Sequence, residues 1–403
     1  MKKFKNYIRH TLSDTLQICC EELKHIFKDS GVLVIFFAAG LIYPILYGFT
    51  YQNELLRDIP TAVVDMSGSN LSREFKRKLD ATPELKMSFV CNSLEEAKEL
   101  YEKDLVHAIV FIPNTFSSDI YSGKQAHIIA YSNMSSMMYY KGLYAAVNYV
   151  SLDMGKEIQL NRLKKSGLTD YQAIVRANPI LYESKSLFNP KGGFASFLMP
   201  AVLILVIQQT LVLGIGMLAG TAREENTFHN LIPFQQKYHG SMRIVIGKAA
   251  AYFLIYSFIT VYNLMAIPYL FNLPHLENPL VLVPFILPFL LSGIFLGMSV
   301  SVFFWNRENS LLLYLFTSLP LLFLSGFSWP ATHIHIFWKM ISYFFPSTFG
   351  IQAFLKINSM GASFRQVGFE LTGLWMLTAV YFLFSILAYR WQILRSERIR
   401  AMQ

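Results

Sequence analysis

Residues 194–218 read FASFLMPAVLILVIQQTLVLGIGML and contain no charged side chain. A helix of about 20 mostly apolar residues crosses the hydrocarbon core of a bilayer, which is about 30 Å thick. Because water is absent from that core, the backbone of such a segment satisfies its own hydrogen bonds as a helix. The stretch is therefore predicted to span a membrane.

Five further stretches of the same kind lie on either side of this one. They are residues 31–50, 244–271, 280–304, 311–327 and 369–389. The composition agrees with this count, because 53% of the residues are hydrophobic and 15% are charged, whereas a soluble chain carries about 25% charge. We predict an α-helical polytopic membrane protein with six transmembrane helices, whose first span remains as an anchor.

Positive residues are concentrated on one side of these spans. They precede the first span, follow the last, and occupy the loops after the second and fourth spans, whereas the opposite short loops carry only Lys339, Lys356 and Arg365. The positive-inside rule then places both termini in the cytoplasm of an inner (plasma) membrane. Residues 391–403 become a cytoplasmic basic tail, and residues 51–192 become extracytoplasmic.

Residues 1–30 are predicted to be a cytoplasmic segment that contains an amphipathic helix at 11–29. Apolar residues recur there at helical spacing, with charged residues between them. The apolar residues are Leu12, Leu16, Cys19, Leu23 and Ile26 or Phe27, and the charged ones are Asp14, Glu21, Glu22, Lys24 and Lys28. Such a helix lies along the membrane surface or packs on another cytoplasmic protein. Both arrangements bury the same apolar face.

Residues 51–192 are predicted to form an extracytoplasmic α/β domain, inserted between the first and second spans. Short β-branched runs alternate there with helical patterns, and a segment of this length can bury a core of its own. The predicted strands are 59–65, 85–91, 106–112 and 125–131, and the predicted helices are 70–79, one capped by Ser93, one opened by Pro113, and 135–163. The other five spans lie in residues 193–390.

Several kinds of chemistry are absent from the sequence. It lacks the pattern G-x-x-x-x-G-K-[ST] that holds nucleotide phosphates, and the predicted spans carry no acidic or basic residue deeper than about one turn from an end, which disfavours an ion relay. We expect no cofactor or metal in this chain, and no nucleic-acid partner, because the positive residues are scattered. Gln208, Gln209 and Asn263 at mid-span are candidates for a transport path or form hydrogen bonds between helices.

The loop after the second span reads AREENTFHNLIP at residues 222–233. A charged cluster is followed by a short amphipathic turn that is predicted to present Phe228, Leu231 and Ile232 before a proline ends it. A short helix joined to spans at both ends can transmit the motion of a docked partner. An ordinary interfacial loop would show the same pattern.

At this loop the chain resembles the membrane subunit of ABC-2 type exporters, and the similarity of topology covers nearly all of it. The family's loop is approximately R-E-x-G-T-x-E-x-L, and Asn226, which replaces its glycine, is expected to take the left-handed conformation that glycine supplies. His229 replaces the second acidic residue, so no salt bridge is carried over to it. The resemblance implies that the coupling loop 219–243 docks an ATPase through Arg223, Glu224, Glu225, Thr227, Phe228, Leu231 and Pro233.

Residues 325–357 also resemble the family, through the stretches SGFSWP at 325–330 and FPST at 345–348. The resemblance implies short re-entrant helices at the external mouth, which fits the rule that non-spanning backbone is tolerated at membrane depth only where protein buries it. The implied gate residues are Gly326, Trp329, Pro330 and Pro346.

The resemblance as a whole implies a permease subunit that exports hydrophobic or amphipathic cargo from the cytoplasm or the inner leaflet. ATP and Mg²⁺ would bind a separate cytoplasmic ATPase, and a second permease copy or paralogue would complete the transporter in the lipid, with a periplasmic adaptor as a further candidate partner. Two other classes stay open. One is a membrane-anchored receptor or envelope assembly factor whose external domain binds a ligand. The other is a gradient-driven transporter.

Overall fold

The computed structural model describes residues 2–180, 183–190, 192–236, 240–276 and 278–402, with side chains from Thr11 onward. It divides into two compact units. Met1–Glu54 and Ser186–Gln403 together form the first, which we call the helical unit, and Leu55–Lys185 forms the second, which we call the α/β unit.

The helical unit begins with the long helix α1 (Lys2–Lys28). Among the residues that the structure describes, five segments are long and apolar enough to cross a membrane. They are Ser30–Tyr51, Phe194–Glu224, Gly240–Leu270, Pro279–Phe303 and Gly368–Met402. Their components are α2 (Ser30–Leu33), a π-helix (Val34–Ile42) and α3 (Tyr43–Tyr51); α9 (Phe194–Glu224); α11 (Gly240–Val261), a π-helix (Tyr262–Ala266) and α12 (Ile267–Leu270); α13 (Pro279–Val300) and a 3₁₀ turn (Ser301–Phe303); and α17 (Gly368–Met402). The remaining elements are a 3₁₀ turn (Thr227–Leu231), α10 (Ile232–Gln235), α14 (Arg307–Leu324), α15 (Ile336–Ser342) and α16 (Pro346–Met360).

These five segments agree with five of the six predicted spans. The remaining prediction, 311–327, falls on α14, an 18-residue helix whose first turn carries Arg307 and Glu308. That helix is not among the five apolar segments, because it is short and its charged first turn lowers its mean hydropathy. A sixth crossing therefore stays a prediction.

Helix α9 lies at the centre of the helical unit, and most of its residues are buried. It packs against the first apolar segment and against α11, α13, α14 and α16. Gly220 permits one of these contacts, because a Cβ there would lie 2.7 Å from the backbone nitrogen of Arg307. The closeness of that approach sets the position of α14 on α9.

The α/β unit is a four-stranded sheet covered by helices. The strands are β1 (Ile59–Asp65), β2 (Leu85–Cys91), β3 (Ala108–Ile112) and β4 (Ile129–Ser132), in the order β2-β1-β3-β4, with only β4 antiparallel. The helices are α4 (Asn70–Asp80), α5 (Leu94–Glu102), α6 (Phe116–Tyr121), α7 (Met137–Lys165) and α8 (Asp170–Ala177). Because side chains alternate along a strand, β1 turns Ile59 and Val63 toward the cluster with α4 and α7, and Ala62 and Val64 toward the cluster with α5.

The first two strand predictions are confirmed, and Ser93 caps α5 by accepting a hydrogen bond from the backbone of Glu96 at 3.1 Å. The prediction that Pro113 opens a helix is wrong. Residues 113–115 form a turn in which Phe116 N donates to Pro113 O, so α6 begins three residues later. The fourth strand is shorter than predicted, because β3 pairs with only the four residues from Ile129 to Ser132.

Candidate functional site

The segment 222–236 leaves the end of α9 through a tight reversal. Asn226 has φ +51° and ψ +36°, the left-handed conformation that we expected from its place in the loop. Its Oδ1 accepts a hydrogen bond from Ser396 Oγ on α17 at 2.6 Å, and Thr227 Oγ1 donates to Ala222 O at 3.2 Å. The reversal is thus fastened both to α9 and to the last helix.

Substitution of Asn226 tests this reversal. Asn226→Val is expected to lower the free energy of unfolding by about 1 to 2 kcal/mol, because a β-branched residue is strained in the left-handed region. Asn226→Gly should lose only what Ser396→Ala loses, since glycine accepts the backbone conformation and lacks only the side-chain bond. Thermal unfolding of the parent and the three variants in nanodiscs would check this. A valine variant as stable as the glycine variant would contradict it.

Two charged residues at the end of α9 hold the ends of other helices. Arg223 Nη1 donates to Val302 O at 2.9 Å and to Phe304 O at 2.7 Å, just past the end of α13. Glu224 Oε1 accepts from Arg307 N at 3.1 Å, at the start of α14. Carbonyls at a helix C-terminus and N–H groups at an N-terminus lack partners within the helix. The two side chains supply such partners with the charges that the helix dipole favours.

Phe228 is not presented for docking as the sequence predicted. Its side chain is 4% exposed, and its ring packs edge-on against Tyr389 of α17, with centroids 6.1 Å apart. Thr227 and Leu231 are half-buried, whereas Glu225 and Pro233 are exposed. The aromatic ring therefore fixes the segment against α17. The exposed surface of the segment is formed by other residues, among them Glu225 and Pro233.

Helix α1 packs on α11 through a face that contains two carboxylates. Arg243 Nη1 donates to Asp14 at 3.1 Å, Lys248 Nζ donates to Glu22 at 2.5 Å, and Tyr252 donates to the other oxygen of Glu22. The sequence analysis placed these acids only among the charged residues between the apolar ones and did not predict that they are buried. The four-residue spacing Asp14-Ile18-Glu22-Ile26 was the signal of a second buried face.

The apolar stripe that the sequence predicted on α1 is exposed only in part. Leu12, Leu16 and Phe27 are 62%, 58% and 57% exposed, whereas Leu23 is half-buried, and Cys19 and Ile26 are buried in the core of the helical unit. Burial of the exposed part at a membrane surface or on another protein stays a prediction.

Sequence reasoning also missed a link between α14 and the first apolar segment. Arg307 Nη1 and Nη2 donate to Asp29 at 3.1 and 2.6 Å, and the same carboxylate caps that segment by accepting from Gly31 N and Val32 N. The backbone N–H of Arg307 is the group that Glu224 accepts. One residue thus joins the end of α9 to the starts of two other helices.

The three candidate path residues contact three different neighbours. Gln208 Nε2 donates to Ser347 Oγ of α16 at 3.1 Å, and Gln209 Nε2 contacts Thr317 Oγ1 of α14 at 3.4 Å. Asn263 Nδ2 donates to Gly40 O of the first apolar segment at 2.9 Å. All three side chains are buried, and their partners lie on three different helical segments. Hydrogen bonding between helices, the other reading of these residues, is what each side chain does here.

The candidate gate residues lie at the two ends of the segment between α14 and α16. Gly326 has φ +79°, next to Ser325, whose carbonyl accepts from Gln352 Nε2 at 2.9 Å. Trp329 and Pro330 are exposed, whereas Pro346 is the buried first residue of α16. Both α15 and α16 fall short of the roughly 20 residues that a crossing needs. The gating role itself stays a prediction.

Long apolar helices, packed around α9 and tied together at one end by charged residues, define a multi-pass membrane protein. The family model described as "ABC-2 family transporter protein" matches residues 31–387. The chain therefore belongs to the ABC-2 transporter family, as the loop and the topology had suggested. Membrane components of this family are permeases of ABC transporters, are not themselves catalytic and generally work with an ATPase subunit. No curated protein matches the chain.

Proposed function

We propose that this chain is half of an ATP-driven exporter in an inner (plasma) membrane and that it moves hydrophobic or amphipathic cargo out of the cytoplasm or the inner leaflet. Six helices would cross the membrane, with α14 as the fifth. Both termini and the segment 222–236 would face the cytoplasm, with the α/β unit on the outside. The distribution of positive residues supports this orientation.

The observation that carries the proposal is the set of ties made by residues 223 and 224. Arg223 holds the end of α13, and Glu224 holds the start of α14 through Arg307. Arg307 in turn holds Asp29, at the start of the first apolar segment. A partner that pushes on the adjacent exposed residues would therefore move four helix ends together, which is the mechanical requirement for rigid-body coupling.

The surface for such a partner would be formed by Glu225 and Pro233, which are exposed beside these ties. Phe228 would keep that surface in place from its buried position. Helix α1 would lie at the inner membrane surface, with Leu12, Leu16 and Phe27 in the lipid.

The apolar surface of the single chain supports both an apolar cargo and a second permease copy. Helix α14 exposes one continuous apolar face, formed by Leu312, Leu315, Leu319 and Phe323. Such a face would meet lipid, cargo or a second permease, and it offers no charge to a polar cargo. Membership in a transporter family favours this reading over a membrane-anchored receptor.

Photo-crosslinking in native membranes tests the docking assignment. A benzoylphenylalanine introduced at Glu225 or at Pro233 should form an adduct with a subunit that contains a nucleotide-binding P-loop, identified by mass spectrometry. The same residue introduced at the exposed Tyr121 of the α/β unit should not. An ATPase adduct from Tyr121, or none from either loop position in a transport-competent protein, would exclude the proposed orientation.

Reversing the charge of Glu225 tests the same docking surface through transport activity. Glu225→Lys should lower ATP-dependent transport by roughly tenfold, taking the loss of a charged interface contact as about 1.4 kcal/mol or more. The melting temperature should not change, since the Glu225 side chain is exposed. Glu95→Lys, at an exposed carboxylate of the α/β unit, is the matched control and should transport normally.

A further inference from the structure

The α/β unit contains a half-open apolar cavity of about 210 Å³ beside α7. It lies between α4, α6, α7 and the stretch that leads into β4. Its apolar lining consists of Phe75, Phe116, Ile120, Ile128, Met154 and Ile158. An engineered cavity of about 150 Å³ lined by aliphatic and aromatic side chains binds benzene, so this space accommodates an aryl ring or a short acyl chain.

The charged groups that line the cavity are both positive, Lys124 and Arg162. Arg162 Nη2 donates to the carbonyl of Ile120, which holds the guanidinium at the rim. No acidic residue is among the lining residues. A ligand that enters with an apolar tail would therefore leave its head group next to two cations.

Two carboxylates on α7, Asp153 and Glu157, lie outside the cavity lining and share one cation of α4. Lys78 Nζ binds both of them, at 2.9 and 2.7 Å. The hydrogen bonds that Lys78 donates to these acids, the one to Glu157 first, raise the pKa of Lys78 to about 12, so the lysine stays charged at any physiological pH. It neutralises one of the two acidic charges, and neither acid is among the residues that line the cavity.

Gly155 leaves part of the cavity wall open. It stands in the interior of α7 and lines the cavity, and a Cβ built on it would meet nothing within 4 Å. Glycine inside a helix costs roughly 0.5 to 1 kcal/mol relative to alanine. The packing of this helix does not require the glycine, and the missing side chain leaves free space at the cavity wall.

From these features we infer that the α/β unit binds a small anionic amphiphile. Its aryl or short acyl tail lies against Met154 and Gly155, and its carboxylate or similar head group pairs with Lys124 and Arg162. The inference rests on the α/β unit alone. Its failure would leave the proposed transport function intact, because that function depends on contacts in the helical unit.

A ligand series that differs only in charge tests the site. The probe is 4-phenylbutyrate, compared with 4-phenylbutylamine and 4-phenylbutanol, which carry the same tail. The full chain in nanodiscs, labelled with ¹³C-methyl methionine, reports binding through the Met154 resonance, assigned with Met154→Leu. Met376, exposed on α17, reports partition of each probe into the lipid.

We expect a saturable shift of Met154 with the anion, and at least tenfold weaker binding of the amine. Lys124→Gln and Arg162→Gln should each weaken binding by about three- to tenfold, the range of half-exposed to charge-assisted contacts. Gly155→Leu should fill the cavity and abolish the shift, whereas Gly155→Ala should bind within about twofold of the parent.

Three results would overturn the inference. They are equal binding of anion and amine, a Met154 shift that follows Met376 without saturating, and binding that survives Gly155→Leu. The other methionine resonances of the α/β unit show whether each variant is folded. If Gly155→Leu fails to fold, the comparison of Gly155→Ala with Lys124→Gln and Arg162→Gln still decides between charge recognition and none.

Discussion

Replacing Phe228 by alanine is expected to lower the free energy of unfolding by about 3 to 5 kcal/mol, the cost of truncating a buried aromatic side chain. The ring is 4% exposed and packs on Tyr389, so its removal leaves a cavity between the segment 222–236 and α17. Thermal unfolding in nanodiscs, followed by tryptophan fluorescence, measures the loss. We expect transport to fall with it, because the exposed docking residues lose their support.

Two control variants show whether the Phe228 ring stabilises the segment or contacts the ATPase itself. Phe228→Leu should cost far less, about 1 kcal/mol, since most of the buried volume is kept. Pro233→Ala, at an exposed position in the same segment, should change stability by less than about 0.5 kcal/mol. A Phe228→Ala protein that melts like Pro233→Ala yet loses its crosslink to the ATPase would show that the ring is a docking contact after all.

Lys248→Ala is expected to be as damaging, at about 3 to 5 kcal/mol, because it leaves a buried carboxylate without its cation. Glu22 is 3% exposed and binds both Lys248 and Tyr252. Its charge would have to be buried unpaired or α1 would have to leave α11. Thermal unfolding and the protease sensitivity of α1 both report that separation.

The double variant Glu22→Leu with Lys248→Met compares the removal of both charges with the removal of one. Replacing both ends of a buried ion pair by apolar residues of similar volume is often neutral, so the double variant should recover most of the stability. Lys24→Ala, exposed on the same helix, should have little effect. If the losses of Glu22→Leu and of Lys248→Met, each made alone, instead add in the double variant, the two residues are not coupled.

The spans and strands were predictable because their signals are local. A run of apolar residues such as 194–218 needs no partner to be recognised, since the bilayer itself selects for it. The first two strands were found from β-branched runs between turn residues. The conformation of Asn226 was expected from the resemblance, because this residue replaces the glycine of the family's loop. The predicted boundaries were wrong where contact with another element sets them. An example is β4, whose length is set by its pairing with β3.

The candidate site was predictable only as a segment. The residue types of the loop identified 222–233, but they could not show which faces of it are buried. Phe228 is covered because Tyr389 comes to it from α17, and hydropathy alone does not distinguish an aromatic ring that docks a partner from one that packs on its own chain. The same limit applies to Gln208 and Asn263, whose partners Ser347 and Gly40 lie on other helices.

By itself, then, the sequence determined where the five long apolar segments and the first two strands lie, and its resemblance to the family indicated the left-handed turn at Asn226. Only the tertiary structure decided that Asp14 and Glu22 face α11, that Phe228 is buried, and that Arg307 reaches Asp29, 278 residues away in the chain. The reason is that hydropathy and backbone preference act over a few neighbouring residues, whereas the burial of a charge or a ring depends on which distant side chain arrives to satisfy it.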